Sequence, residues 1–168
     1  MQTLNKIKAI RTKSERLNNY QFYLANTSEL QLYINIGAFE KGILLIDKIK
    51  NRVLENKARN IYLFCKIMIV YFGAQEFHQA NEYLNKLLNS KLDFRDDVQC
   101  FARIMNLIIH YEMGNTELLP YITKSSMYFL TKKKGMNVFE ELFIKFFRTK
   151  LLKIDTKPSG VRQNAKLT

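Results

Sequence analysis

Apolar residues recur every three or four positions along almost the whole chain. Between residues 75 and 89, apolar side chains fall at i, i+3 and i+7, and a second such stripe runs from Asp96 to Met113. This spacing predicts amphipathic α-helices. We therefore predict an all-α fold with helices near residues 3–25, 28–36, 38–55, 58–72, 75–90, 95–113, 116–132 and 136–155.

Three glycines divide this pattern into similar blocks. Gly37, Gly73 and Gly114 each follow one apolar run and precede another, so they recur at nearly regular intervals. Glycine suits the left-handed residue that ends a helix, so we expect all three to take that conformation. Short connections make neighbouring helices antiparallel. A period of this length predicts stacked helical hairpins, because one hairpin cannot bury its own apolar side.

The blocks resemble the tetratricopeptide-repeat (TPR-like) superfamily, which places a small residue at the turn, then an aromatic residue, then another small residue. The matching residues are Gly37, Phe39 and Gly42 in the first block and Gly73, Phe77 and Ala80 in the second, with one extra residue after Gly73. The third block keeps only the turn, and the family's Trp and closing Pro are missing.

This resemblance implies a short right-handed α-solenoid of antiparallel helical hairpins. The implied organisation is one domain over residues 1–156 followed by a flexible tail at 157–168. The expected units are 28–56, 57–91 and 95–132, with an extra helix at 136–155.

The resemblance also implies a non-catalytic module that binds a protein or peptide in a groove lined by the first helix of each pair. Helical spacing gives the candidate groove residues, which are Asn60, Lys66, Gln99, Arg103 and Asn106. The sequence has no Walker loop, dinucleotide-binding glycine motif, nucleophile elbow or paired-cysteine metal site. We therefore expect no enzymatic activity, no cofactor and no metal.

Charge gives an alternative function. The formal net charge is +12, and it lies at the two ends: residues 1–16 carry +4, residues 124–168 carry +8, and residues 17–123 are neutral. Basic ends solubilise a protein, and they also suit nucleic acid or another polyanion. The residues of this alternative are Lys6, Lys8, Arg11 and Lys13 at one end and Lys132, Lys133, Lys134, Arg148 and Lys150 at the other.

The last predicted helix is unusually rich in phenylalanine. Phe139, Phe143, Phe146 and Phe147 lie among lysines and arginines in what would be the first helix of an incomplete fourth unit. Two interpretations stay open. The rings pack back onto helix 116–132, or they form an exposed strip that docks a second copy or a partner helix, as in a structural subunit.

Cysteine use and hydropathy indicate a cellular location. Cys65 and Cys100 lie in apolar helical runs, which is typical of buried thiols in a reducing compartment. No signal peptide is visible. The most apolar window, residues 61–74, is too short to span a bilayer and contains Lys66. We expect a cytoplasmic protein without membrane contact.

Overall fold

The computed structural model describes residues 12–55, 61–89, 96–132 and 138–155, together with Lys6, Ala9 and Ile10. For residues 54, 55, 96 and 150–155 it describes the backbone only. This part of the chain forms seven α-helices and contains no strand, which confirms the predicted all-α class. The helices are α1 (Glu15–Asn35), α2 (Phe39–Glu55), α3 (Ile61–Gly73), α4 (Phe77–Leu88), α5 (Asp96–Glu112), α6 (Leu119–Lys132) and α7 (Val138–Asp155).

The first helix corrects the predicted bounds. We expected helices at 3–25 and 28–36, but α1 runs without a break from Glu15 to Asn35. Its start is fixed by Ser14, whose hydroxyl accepts a hydrogen bond from the Leu17 N–H at 3.4 Å. The predicted break fails because Thr27 and Ser28 are tolerated in a helix when packing on one side holds it.

The chain divides into two compact units, Met1–Met113 and Gly114–Thr168. In the first unit each of α1 to α4 packs on the next helix along the chain, and α1 also packs on α3. In the second unit α6 packs on α7. The single domain over residues 1–156 and its units stay predictions, and the tail at 157–168 lies outside the described residues.

Two glycines allow α2 and α3 to approach closely. A Cβ at Gly42 would lie 2.7 Å from Val70 Cγ1, and a Cβ at Gly73 would overlap the ring of Phe39. The start of α2 therefore lies against the end of α3, so the two helices are antiparallel. Gly42 behaves as the small residue that the sequence predicted at this crossing.

The turn after α3 corrects a second expectation. Gly37 has φ +67° and Gly114 has φ +72°, as predicted, but Gly73 is the last residue of α3 and is helical. Gln75 takes the left-handed conformation instead, with φ +63°. Gly73 is needed for space, because the Phe39 ring occupies the position of a side chain there.

The turns at Gly37 and Gln75 have the same hydrogen bonds. The N–H groups of Gly37 and Gln75 donate to carbonyls three residues earlier, at 3.2 and 3.0 Å. The next N–H in each turn donates five residues back at 2.9 Å, which completes a Schellman motif. Gln75 is therefore equivalent to Gly37, and the left-handed Gly114 marks the same position in the next turn. We call this alignment of position 37 with 75 and 114 the turn register. It aligns Phe39 with Phe77 and Gly42 with Ala80, so no extra residue is needed in the second block.

Burial repeats in the turn register. The inner face of α2 consists of Gly42, Leu45, Ile46 and Ile49, and that of α4 consists of Ala80, Tyr83, Leu84 and Leu87. Leu30, Met68 and Leu107 are equivalent residues of α1, α3 and α5, and all three are fully buried. The first unit is thus built from repeated helical hairpins with one continuous apolar core.

Candidate functional site

One position exposes a large apolar side chain on each first helix. Leu24 of α1, Tyr62 of α3 and Phe101 of α5 are equivalent, because each lies equally far along the chain before its left-handed turn residue. Their side chains are 47%, 47% and 37% exposed. Scattered exposed apolar residues are ordinary, but these three recur at one structural position. We call Leu24, Tyr62 and Phe101 the apolar row.

A layer of partly polar side chains lies beneath the apolar row between α1 and α3. Burial raises the pKa of Tyr23, and Tyr62 and Cys65 of α3 add to the effect, which places them near its hydroxyl. Thr27 and the backbone of Leu63 oppose the shift. These residues lie where α1 packs on α3, the two helices that carry Leu24 and Tyr62.

The Cys65 thiol of α3 is influenced by charged residues of α3 and α5. Burial raises the pKa of its thiol to about 11, Lys66 opposes the shift, and Asp97 at the start of α5 adds to it. Such a thiol is protonated at neutral pH and is therefore a poor nucleophile or metal ligand. Cys65 is buried as expected, whereas Cys100 is only half-buried, because it lies on the side of α5 that is less covered.

The predicted groove residues do not all share one face. Asn60 lies outside the described residues. Lys66 is half-buried and lies one turn along α3 from Tyr62, beside the apolar row. Gln99, Arg103 and Asn106 form a separate half-buried stripe on α5.

The turn register shows that the stripe on α5 lies on a different side of its helix from Lys66 on α3. The residues of α3 that are equivalent to Arg103 and Asn106 are Phe64 and Ile67, and both belong to the core. Burial lowers the pKa of Arg103. Helical spacing alone identified polar positions on α5, but it could not tell which side of the helix continues the face of Lys66.

The phenylalanines of α7 divide between the two interpretations. Phe147 is buried and Phe143 is half-buried, whereas Phe139 and Phe146 are exposed. Neighbouring rings contact each other along the helix, with centroids 5.9 Å apart for Phe139 and Phe143 and 4.9 Å apart for Phe143 and Phe147. One side of α7 is therefore packed, and another presents an apolar strip.

The basic residues of the alternative function are described only in part. Lys6, Lys13, Lys132 and Arg148 are exposed. Lys8, Arg11, Lys133 and Lys134 lie outside the described residues, as does the side chain of Lys150. Lys132 ends α6, and Arg148 lies about 15 Å along α7 from its first residue, given about 1.5 Å of rise per helical position. Polyanion binding stays a prediction.

A cleft of about 300 Å³ between α1 and α2 was missed by the sequence analysis. Its basic side chains are Lys48 and Arg52, and the Arg52 guanidinium lies 4.1 Å from the centroid of the Phe22 ring and donates to Asn19 Oδ1 at 2.9 Å. The sequence contains no signal for it, because its lining residues come from two helices and meet only through packing.

The described residues contain neither a metal-binding cluster nor a membrane-spanning helix. Within the described ranges, His, Cys, Asp and Glu side chains form no group of three that could hold a metal ion. Among the helices described here, none has the length and apolar character needed to cross a membrane.

Comparison of the chain with protein-family models, with curated proteins and with solved structures finds no match.

Proposed function

We propose that this chain is a non-catalytic protein-binding module that takes its partner on the apolar row. The observation that carries this proposal is the repeated exposure of Leu24, Tyr62 and Phe101 at equivalent positions of α1, α3 and α5. Under this proposal the hairpins form a short right-handed solenoid of the TPR-like kind, and the row lies on the face of the first helices. The proposed location is the cytoplasm, where thiols such as Cys65 stay reduced.

The spacing of Leu24 and Tyr62 suits an apolar segment of another protein. Packed helices lie about 8–10 Å apart, so Leu24 and Tyr62 on neighbouring α1 and α3 are separated by a similar distance. An amphipathic helix presents apolar side chains about 10 Å apart at i and i+7. Lys66 and Asp97 border the row and would favour polar or charged side chains at the edge of the partner segment.

The expected energies are those of a moderate interaction. Complete burial of one Leu or Phe side chain contributes about 1.5–3 kcal/mol, and association entropy offsets part of the total. Removing one member of the row should therefore weaken binding by about tenfold or more, because about 1.4 kcal/mol corresponds to a factor of ten.

The test compares row variants with a matched surface variant. The full chain is tagged in its native cells as wild type, as Leu24→Ser with Tyr62→Ser, and as Leu44→Ser. Leu44 is exposed on α2 and lies outside the row. Circular dichroism and thermal unfolding establish that all three are folded.

We expect the same partner proteins to be recovered with wild type and with Leu44→Ser. The amount recovered with the row variant should be at least tenfold lower. The dissociation constant of each purified complex, measured by calorimetry, should change in the same order. Equal recovery with all three chains, or recovery of nucleic acid alone, would contradict the proposal.

A further inference from the structure

The outer side of α7 is apolar over more than two turns. Phe139, Leu142 and Phe146 recur at i, i+3 and i+7, so they share one stripe, and all three are exposed. Val138 extends the stripe at its start. The opposite side of α7 holds the buried Ile144 and Phe147. We call Val138, Phe139, Leu142 and Phe146 the α7 strip.

The rings of the α7 strip are held in place by their neighbours. Phe139 stacks on Phe143 with centroids 5.9 Å apart, and Phe146 meets Phe147 edge-on at 5.7 Å. Phe147 is buried, so this contact anchors the exposed ring to the packed side of the helix. Rings that are already ordered lose little entropy when a partner covers them.

The charged residues along one edge of the α7 strip can pair with the same edge of a second copy. Glu141, Lys145 and Arg148 are all exposed and lie at i, i+4 and i+7, so they follow one edge of the strip with the acid first. In a two-fold antiparallel pair of helices, identical edges face each other in opposite directions. Glu141 of each copy then lies beside Lys145 of the other, with the axis near Leu142.

We propose that the α7 strip is the contact of a homodimer, in which α7 pairs with α7 of a second copy in antiparallel orientation. This inference does not depend on the proposed function of the apolar row. It commits to a second copy because the favourable pair between Glu141 and Lys145 occurs twice in such a dimer.

A head-to-tail contact with α1 fits the charges less well. The start of α1 also exposes apolar side chains, Leu17 and Tyr20, but Glu15 there lies between the basic Lys13 and Arg16. Its single acid therefore has a basic residue on each side. Self-pairing of α7 places each Glu141 beside Lys145 of the other copy, whereas stacking on α1 would place Lys145 and Arg148 near Lys13 and Arg16 as well as Glu15.

The test is the mass of the full chain in solution, measured by light scattering after size exclusion at about 100 µM, where contacts of small area are populated. We expect twice the 19.9 kDa of one chain. Phe139→Ser should raise the dimer dissociation constant at least tenfold. Tyr20→Ser is the matched control, since Tyr20 and Phe139 are both 64% exposed, and it should leave the dimer unchanged.

A charge exchange gives a second test that does not remove apolar surface. Glu141→Lys and Lys145→Glu should each weaken the dimer, and the double variant should restore it, because the pair is rebuilt with its signs reversed. A monomeric wild type would overturn the proposal and leave the strip to a different occupant. A dimer that persists in Phe139→Ser, or one that is lost in Tyr20→Ser, would overturn it as well.

Discussion

The hairpin of α1 and α2 and the hairpin of α3 and α4 have the same architecture but use different residues to achieve it. Their turns share hydrogen bonds, and their buried positions coincide when Gly37 is aligned with Gln75. Yet the first hairpin has glycine at the left-handed position, and the second has Gln75 there, with its glycine two residues earlier. Backbone geometry and burial therefore repeat, but the glycines have different roles. Gly37 supplies the positive φ of its turn, and Gly73 leaves space for the Phe39 ring.

The largest expected effect concerns the crossing of α2 and α3. The first hairpin has Gly42 where the second has Ala80, and a methyl group at Gly42 would meet Val70, which is fully buried and β-branched. We expect Gly42→Ala to lower the free energy of unfolding by about 2 kcal/mol, measured by urea denaturation.

The Val70→Ala background provides the control for that steric cause. Without the Val70 methyl groups, Gly42→Ala should be neutral or stabilising by up to about 1 kcal/mol, because alanine is the better helix former. An equal loss in both backgrounds would show that the crossing is not what requires glycine.

A smaller effect distinguishes two equivalent tyrosines. The Tyr33 hydroxyl donates to Glu29 Oε1 at 2.9 Å, whereas Tyr71 stacks on Tyr83 with centroids 5.8 Å apart, and Ile67 takes the place of Glu29. Tyr33→Phe should therefore cost about 1–2 kcal/mol at neutral pH, because it removes a buried hydrogen bond. Tyr71→Phe should cost little there.

Tyr71 should make stability depend on pH in alkaline solution. Burial, with a further contribution from Tyr83, raises the pKa of Tyr71 from 10.0 to about 12. The unfolded chain then loses its proton first, so stability is fully present below pH 10 and falls as the pH rises towards 12. Urea titrations at several alkaline pH values should show a shallower fall for Tyr71→Phe than for wild type. Parallel curves would contradict this origin of the shift.

The smallest expected effects have opposite signs in the two turns. Gly37→Ala places a side chain at φ +67° and should destabilise by about 1 kcal/mol. Gln75→Gly relieves a side chain at φ +63° and should stabilise by about 0.5–1 kcal/mol. Thermal unfolding measures both, and a loss of stability in each variant would mean that the turns are not equivalent.

Much of the fold follows from local patterns in the sequence. Apolar spacing predicted the bounds of α2 to α7 within a few residues. A helix that buries one side has apolar residues at every third or fourth position, and this spacing can be read from the sequence. Gly37 and Gly114 were predicted correctly as left-handed residues. A side chain at either position would meet no neighbouring atom, so the backbone conformation alone favours glycine there. The break near Thr27 was wrong, since tertiary packing overrides a weak local preference.

The candidate sites were less predictable. Sequence spacing selected Lys66 and the phenylalanines of α7 as candidates, and these stay predictions. It did not select the apolar row, because Leu24, Tyr62 and Phe101 look like ordinary members of apolar runs. Their equivalence depends on the turn register, which aligns position 37 with Gln75, whereas the sequence pattern aligned it with Gly73.

The sequence by itself determined that the described part of this chain folds into amphipathic α-helices, because helix periodicity and turn residues act over a few neighbouring positions. Only the tertiary structure decided why Gly73 is glycine, which residue takes the left-handed turn, and which apolar side chains stay exposed. Those features depend on side chains from distant segments, such as Phe39 against Gly73, and such contacts leave no local trace in the order of residues.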